Sequence, residues 1–169
     1  MKKGCICEGI IEKVEFPNRG KATVEGETVI VKNGIPGQKV RFVINKKRGK
    51  RLEGRLLEVL EKSPLERREP VCSVFPDCGG CMYQTMPYEE QLKMKQAQVK
   101  EILDRAVLGE YEYENIYGSP QEFHYRNKME FSFGDAEKDG PLTLGLHKKG
   151  STYDVLTAGD CQLVHQDMT

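Results

Sequence analysis

The spacing of hydrophobic residues divides the chain into a strand-rich first part, one helix and a second strand-rich part. Residues 39–45 (KVRFVIN) alternate, so that Val40, Phe42 and Ile44 share one face of a predicted strand and Lys39, Arg41 and Asn45 the other. A hairpin turn at residues 25–26 separates the shorter runs KATV and ETVIV, and a second turn follows at residues 34–37. About five strands in some sixty residues predict a small barrel, which leaves few exposed strand edges.

A helix and a β-meander are predicted for the remainder. Apolar residues recur at helical spacing over residues 88–106, and the pattern stops at Gly109. Beyond Pro120, residues 127–133 alternate as a strand, and the runs LTLGLH and TYDVL follow turns that contain glycine. We therefore expect an α+β fold, mainly β: a five-stranded barrel, then a small domain with a cysteine-cluster loop, one long helix and an antiparallel meander.

The boundary between the two parts is marked by composition. Residues 63–70 carry two prolines and a dense set of charges, which is typical of a linker. The predicted domains are therefore residues 1–62 and residues 71–169.

Charge is distributed unevenly between the halves although the whole chain is neutral. Residues 1–63 carry 15 Lys and Arg against 8 acidic residues, whereas residues 64–169 carry 11 against 18. A basic module suggests contact with a polyanion, most plausibly nucleic acid, although a basic surface kept for solubility is the competing interpretation. The candidate RNA-binding residues are Arg41, Lys46, Lys47, Arg48, Lys50, Arg51, Arg126 and Lys128.

Two of these candidates stand apart from the barrel. Arg126 and Lys128 flank the first meander strand, where ordinary exposed strand charges are an equally good interpretation. Nearby aromatic residues, Phe123 and Tyr125, could stack on the bases of a single strand.

The compartment bears on the cysteine chemistry. The first ten residues, MKKGCICEGI, lack an apolar signal region, and no apolar run approaches the roughly 18 residues of a membrane span. A cytoplasmic protein with no membrane partner is expected. In a reducing cytosol, clustered cysteines are more often metal ligands or redox groups than disulfides.

Three of the six cysteines lie in VCSVFPDCGGCMYQ, residues 71–84. Cys161 can supply a fourth ligand to Cys72, Cys78 and Cys81, which gives the spacing C-x5-C-x2-C-x79-C. The glycine pair would let the backbone wrap closely round an inorganic core. Zinc sites usually have two compact C-x2-C knuckles and only one is present, so an iron–sulfur site is favoured. A zinc–thiolate site and a redox dithiol at CGGC remain open.

The chain resembles a known family over essentially its whole length. The segment RGKATVEGETVIVKNGIPGQKVRFVINKKRGKRLEGRLLEVLEKSP resembles a TRAM domain, an RNA-binding barrel of the oligonucleotide-binding type. The segments CSVFPDCGGCMYQTMPYEEQLKMKQ, YRNKMEFSFG, LGLHKKGSTYDVL and DCQLV resemble the central domain of RNA (uracil-5-)-methyltransferases that act on 23S ribosomal RNA. The resemblance implies a TRAM barrel over residues 1–62 and a [4Fe-4S] cluster on Cys72, Cys78, Cys81 and Cys161.

The resemblance also implies a partner domain of the same chain. Family members carry a C-terminal S-adenosylmethionine-binding methyltransferase domain, which these 169 residues do not include. Uracil methylation needs a thiolate that adds to C6 and a base that removes the C5 proton, and neither motif is found here, so no catalytic residue is assigned.

The expected function is the RNA-recognition and iron–sulfur portion of an S-adenosylmethionine-dependent rRNA uridine C5-methyltransferase, inactive by itself. The alternative is a stand-alone RNA-binding module with a structural zinc–thiolate site.

Overall fold

A computed structural model describes residues 1–49 and 51–168. The chain forms two compact units, each described separately below. The first comprises Met1–Arg67 with Glu89–Ile116, and the second comprises Arg68–Tyr88 with Tyr117–Thr169. The regular structure of the chain is mostly β-strand with one long helix, which confirms the α+β, mainly β class.

The first unit is built on a curled six-stranded sheet. Its strands are β1 (Ile6–Ile10), β2 (Lys13–Glu15), β3 (Arg19–Val24), β4 (Glu27–Lys32), β5 (Lys39–Arg48) and β6 (Arg51–Glu61). The spatial order is β1-β5-β6-β4-β3-β2, with β4 and β6 parallel and the other pairs antiparallel. The alternation in β5 holds as predicted, because Val40, Phe42 and Ile44 are fully buried in the core of the sheet.

The sheet has six strands where the pattern predicted five. Ile11 and Glu12 lie between β1 and β2 and bond to different neighbours: Ile11 N–H to the Gln38 carbonyl, Glu12 N–H to the Lys21 carbonyl. The chain therefore leaves one side of the sheet and joins the other at this point, with the Ile11 side chain fully buried. A short strand after such a crossing is too brief to show an alternation of its own.

One helix, α1 (Tyr88–Ala106), matches the predicted range. It packs on the first unit through a face that includes Met94 and Gln98, and the Gln98 side-chain amide donates a 2.8 Å hydrogen bond to the carbonyl of Val14. The apolar stripe that predicted the helix is covered only in part, since Leu92 and Leu103 are partly buried whereas Val99 and Ile102 are 43% and 44% exposed. The buried side chain of the helix is the polar Gln98.

The second unit contains a three-stranded antiparallel meander. Its strands are β7 (Ser132–Gly134), β8 (Thr143–His147) and β9 (Val155–Thr157), in the order β7-β8-β9, and a short 3-10 helix follows at Gln166–Met168. The first strand is shorter than the predicted 127–133. Arg126 instead exchanges backbone hydrogen bonds with Leu163 and His165, which draws the chain before β7 towards another segment.

The predicted domain boundaries remain a prediction. Helix α1 groups with the first unit, although it follows the cysteine loop in sequence, and Ser63 in the predicted linker is buried. Compact units in one structure do not establish where independently folding domains begin. None of the helices in the described part of the chain is both long and apolar enough to span a lipid bilayer.

Candidate metal centre

Four cysteines of the second unit line one cavity. Cys72, Cys78 and Cys81 come from the loop at residues 71–84, and Cys161 comes from the turn after β9. Cys78 and Cys161 are each 7% exposed, and Cys72 and Cys81 are partly buried. No two of these cysteines form a disulfide. The structure therefore brings together the four thiols that the spacing suggested.

The cysteine loop is held by backbone hydrogen bonds. Within the loop, Phe75 N–H donates to the Cys72 carbonyl at 3.2 Å and Cys78 N–H donates to the Val74 carbonyl at 3.0 Å. At the far end, Gly79 N–H donates to the His147 carbonyl at 3.0 Å, which ties the loop to the end of β8. The loop thus presents its thiols from a fixed backbone rather than from a free coil.

Cys161 reaches the cavity because its segment is anchored on both sides. The Asp160 carboxylate accepts a 2.9 Å hydrogen bond from Ser73 N–H, 87 residues earlier in the chain. On the other side, Leu163 and Val164 form a small apolar cluster with Ala158 and Cys161. A polar contact to the loop and apolar packing behind it hold the fourth thiol in place.

The surroundings of the thiols are largely apolar. Burial raises the pKa of Cys81, while a hydrogen bond from the Gln84 side chain opposes that rise. Burial likewise raises the pKa of Cys72, and nearby Cys161 and Cys78 raise it further. The thiols lie close enough to influence one another, and desolvation favours their protonated form until a cation compensates them.

The glycine pair between the thiols serves two different needs. A Cβ on Gly79 would come 3.2 Å from the His147 carbonyl oxygen, so the bare backbone permits the close approach to β8. Gly80 N–H points to the Cys78 sulfur at 3.3 Å, a hydrogen bond of the kind that stabilises a thiolate. Neither glycine has a positive φ, so close approach rather than backbone freedom explains Gly79, whereas a Cβ on Gly80 would meet the Cys78 sulfur at an ordinary 3.5 Å.

The donor arrangement bears on the kind of metal group that could bind. Within residues 1–49 and 51–168, no three His, Cys, Asp or Glu side chains converge closely enough to hold one metal ion. The four thiols are among the residues that line one cavity.

Three side chains close to the cysteines, those of Gln84, Asp160 and Lys149, were not assigned a function from the sequence. Gln84 closes the motif CGGCMYQ, and its side-chain oxygen also accepts a 3.2 Å hydrogen bond from Val71 N–H. Asp160 directly precedes Cys161, so its position next to a candidate ligand was the available signal. Lys149 lies near the thiols only because of the tertiary fold, and nothing in the local sequence indicates it.

The candidate RNA-binding cations of the barrel fall into two groups. Arg41 is bound by the carboxylates of Glu8 and Glu58, at 2.8 and 2.6 Å. Glu53 is shared by Lys46 at 3.8 Å and Arg51 at 3.1 Å. These three cations are therefore partly neutralised within the protein.

Two other candidate cations, Lys47 and Arg48, are not neutralised by a neighbouring carboxylate of any described residue. The Lys47 ammonium donates to the carbonyl oxygen of Met1 at 3.0 Å. Among described residues, no carboxylate lies within ion-pair distance of Lys47 or of Arg48 in the β5–β6 hairpin. Lys50 lies outside the described residues. Lys47 and Arg48 are thus the barrel cations best placed to meet a phosphate.

The cations of the second unit are held in different ways. Lys128 pairs with Glu130 at 2.8 Å, with both side chains exposed. The Arg126 guanidinium contacts the Met129 sulfur at 3.8 Å. Phe123 packs under the guanidinium of Arg68, whose carbon lies 5.7 Å from the ring centroid, and Tyr125 is 54% exposed. These positions keep both of their sequence-based interpretations open.

Comparisons with known proteins give relatives along the whole chain. An uncharacterized RNA methyltransferase of Clostridium tetani is 45% identical over 167 residues, which is 99% of this chain and 36% of the relative. Others from Caldanaerobacter subterraneus and Clostridium acetobutylicum are 41% and 40% identical, over 100% and 99% of this chain. The chain spans 37% and 36% of those two relatives, so it corresponds to just over a third of each. No protein-family model matches the chain.

Proposed function

We propose that this chain is the RNA-recognition and iron–sulfur portion of an S-adenosylmethionine-dependent methyltransferase that modifies C5 of a uridine in 23S ribosomal RNA. Relatives named RNA methyltransferases, similar along the whole chain, support the RNA methyltransferase part of this proposal. The observation that carries the iron–sulfur part is the meeting of Cys72, Cys78, Cys81 and Cys161 at one cavity.

The donor set fits a [4Fe-4S] cluster better than a single zinc ion. Structural zinc sites usually supply their thiolates as two compact C-x2-C pairs. This cavity is lined by one such pair together with Cys72 and Cys161, and four thiolates are the donor set of a [4Fe-4S] cluster. Thiolates are also the usual ligands of iron–sulfur clusters.

The cluster would be held by four thiolates, and when bound it would cross-link the loop at residues 71–84 to the turn that bears Cys161. The residues around it have simple tasks. Asp160 holds the two segments together, Gly80 N–H and Gln84 offer hydrogen bonds to sulfur, and the apolar wall limits access of water. The proposed role is to organise this unit for RNA contact, and no residue of the chain is assigned to methyl transfer.

The ligand set is tested by reconstitution. The 169-residue chain is incubated anaerobically with iron and sulfide, and bound iron and sulfide per chain are measured for the wild type, Cys161→Ser and Cys5→Ser. Cys5 is exposed and lies in the first unit, so it serves as the matched control. We expect the wild type and Cys5→Ser to hold equal amounts and Cys161→Ser to lose most of its iron.

Two outcomes would overturn the cluster assignment. A colourless chain with one tightly bound zinc and no affinity for iron would favour the zinc–thiolate module. Equal iron in Cys161→Ser and the wild type would remove Cys161 from the ligand set.

The substrate is tested on the full-length protein that contains this chain. Deletion of its gene should remove a 5-methyluridine from 23S ribosomal RNA, mapped by mass spectrometry of nuclease fragments, and the full-length protein should restore it. Unchanged modification of 23S ribosomal RNA would refute the proposed substrate while leaving the metal centre untouched.

A further inference from the structure

Lys149, in the turn after β8, places a positive charge next to Phe75, a residue that lines the cysteine cavity. Its ammonium nitrogen lies 5.8 Å from the centroid of the Phe75 ring, and Phe75 lines the cavity. The side chain is partly buried, yet among the described residues no carboxylate is within ion-pair distance of it. A sheltered ammonium without an anionic partner costs free energy, which something else must offset.

The backbone at Lys149 is fixed to the cysteine loop. Lys149 N–H donates a 2.6 Å hydrogen bond to the Asp77 carbonyl, and the preceding residue, Lys148, forms an isolated β-bridge with Cys78. Lys148 N–H in turn bonds to the Asp154 carbonyl at 2.9 Å. The turn that carries Lys149 is therefore attached directly to the residues that bear the thiols.

The ionisable groups around Lys149 also connect it to the cysteines. Burial lowers the pKa of Lys149, and the neighbouring Cys78, Asp77 and Cys81 oppose this effect. Two of these three groups are thiols of the candidate metal centre. The groups that can compensate the Lys149 ammonium are therefore the Asp77 carboxylate and, once they ionise on binding metal, the Cys78 and Cys81 thiols.

We propose that Lys149 is the counter-charge of the four-thiolate centre: a positioning residue that is not a ligand and that favours the reduced, more negatively charged state of the bound cluster. This inference rests on the proposed iron–sulfur function. The charge near a cluster and its burial are among the quantities that set its reduction potential.

Charge and packing can be separated by two substitutions at this position. Lys149→Gln keeps much of the stem and removes the charge, whereas Lys149→Arg keeps the charge. Lys138→Gln, at an exposed lysine of the same unit, controls for a change in net charge. Each chain is reconstituted anaerobically with iron and sulfide, its iron content is measured, and the cluster is then titrated for its reduction potential.

The expected result is a more negative potential for Lys149→Gln and unchanged potentials for Lys149→Arg and Lys138→Gln. At the wild-type midpoint, the oxidised-to-reduced ratio should rise by about three- to tenfold in Lys149→Gln, where tenfold corresponds to about 59 mV for a one-electron couple. Loss of iron from Lys149→Gln with full retention in Lys149→Arg would also support the role of the charge.

The outcomes distinguish this inference from the proposed function. A wild-type chain that binds no iron–sulfur cluster overturns both. Full loading with equal potentials in the wild type and Lys149→Gln overturns only the role of Lys149. Equal shifts or equal iron loss in Lys149→Gln and Lys149→Arg would assign the effect to packing and overturn the counter-charge.

Discussion

At the scale of single residues, the candidate centre depends on polar side chains that join segments far apart in the chain. Asp160 joins the Cys161 turn to the loop that begins at Cys72, and Gln84 joins the two ends of that loop. Each accepts a hydrogen bond from a backbone N–H of the cysteine loop, Ser73 N–H for Asp160 and Val71 N–H for Gln84. These residues are therefore expected to govern how well the thiols are preorganised.

Asp160→Ala should destabilise the second unit of the metal-free, reduced chain by about 1 kcal/mol at neutral pH, because one charge-assisted hydrogen bond on an exposed side chain is lost. Urea unfolding followed by the fluorescence of tyrosines of this unit measures the difference. Glu137→Ala, which removes an exposed carboxylate of the same unit, should have little effect.

The effect of Asp160 should depend on pH in a defined direction. The hydrogen bond from Ser73 holds the pKa of Asp160 below its ordinary value in the folded chain. Its contribution is therefore complete above about pH 4, the unfolded pKa, and is lost as the pH falls through the folded pKa. A difference between wild type and Asp160→Ala that grows with acidification would contradict this assignment.

Gly145, in the central strand of the meander, has no room for a side chain. A Cβ there would overlap the carbonyl oxygen of Leu156 on β9. Gly145→Ala should therefore disrupt the β8–β9 pairing at a cost of about 3 kcal/mol or more, seen as a lower urea midpoint for the second unit. Gly159 has open space at the same position, so a Gly159→Ala chain as unstable as Gly145→Ala would refute the steric argument.

At the scale of elements, the hydrophobic pattern predicted whether a segment is a helix or a strand better than it predicted the face through which that element packs. The strict alternation in β5 and the helical period of α1 gave elements that the structure confirms. The packing face of α1 could not be predicted in this way, because its buried residue is the polar Gln98. Gln98 is accommodated there because its side-chain amide donates a hydrogen bond to the Val14 carbonyl. The first meander strand was overestimated because Arg126 bonds to Leu163 and His165 instead.

The Gln98 contact gives a prediction for the helix. Gln98→Leu preserves the size of the side chain and leaves the buried carbonyl of Val14 without its donor. The first unit should lose about 1–3 kcal/mol of its free energy of unfolding, measured by urea titration. Gln96→Leu on the same helix removes only a long 3.4 Å contact and should be nearly neutral. Equal effects of the two changes would show that the Gln98 hydrogen bond is unimportant.

The β5–β6 hairpin gives a prediction for RNA binding. Lys47 and Arg48 have no carboxylate partner among described residues, whereas Arg41 is held between Glu8 and Glu58. Replacing Lys47 and Arg48 by Ala should weaken binding to single-stranded RNA and reduce the slope of log K against log salt by about 1.4, or about 0.7 per phosphate contact.

Arg41→Ala serves as the control in the same filter-binding or anisotropy assay, with a slope close to that of the wild type. An unchanged slope in the Lys47 and Arg48 double variant would remove the hairpin from the RNA interface. A large loss in Arg41→Ala instead would place the contact on the strand face.

At the scale of the whole molecule, the tertiary structure brings the four thiols together. Cysteine spacing indicated three candidate ligands in one loop and a fourth far along the chain, but spacing alone cannot tell whether a distant thiol returns. The structure supplies the reason for its return: the meander reverses the chain, and Asp160 with the Ala158–Val164 cluster fixes the turn. Four thiols from two distant segments therefore line one cavity.

The most direct test of the central claim is native mass spectrometry of the anaerobically reconstituted chain. Four thiolates on one [4Fe-4S] cluster predict a single loaded species, heavier than the metal-free chain by four irons and four sulfides. A chain that carries one zinc ion, or that keeps its metal-free mass under conditions that load iron–sulfur proteins, would contradict the claim.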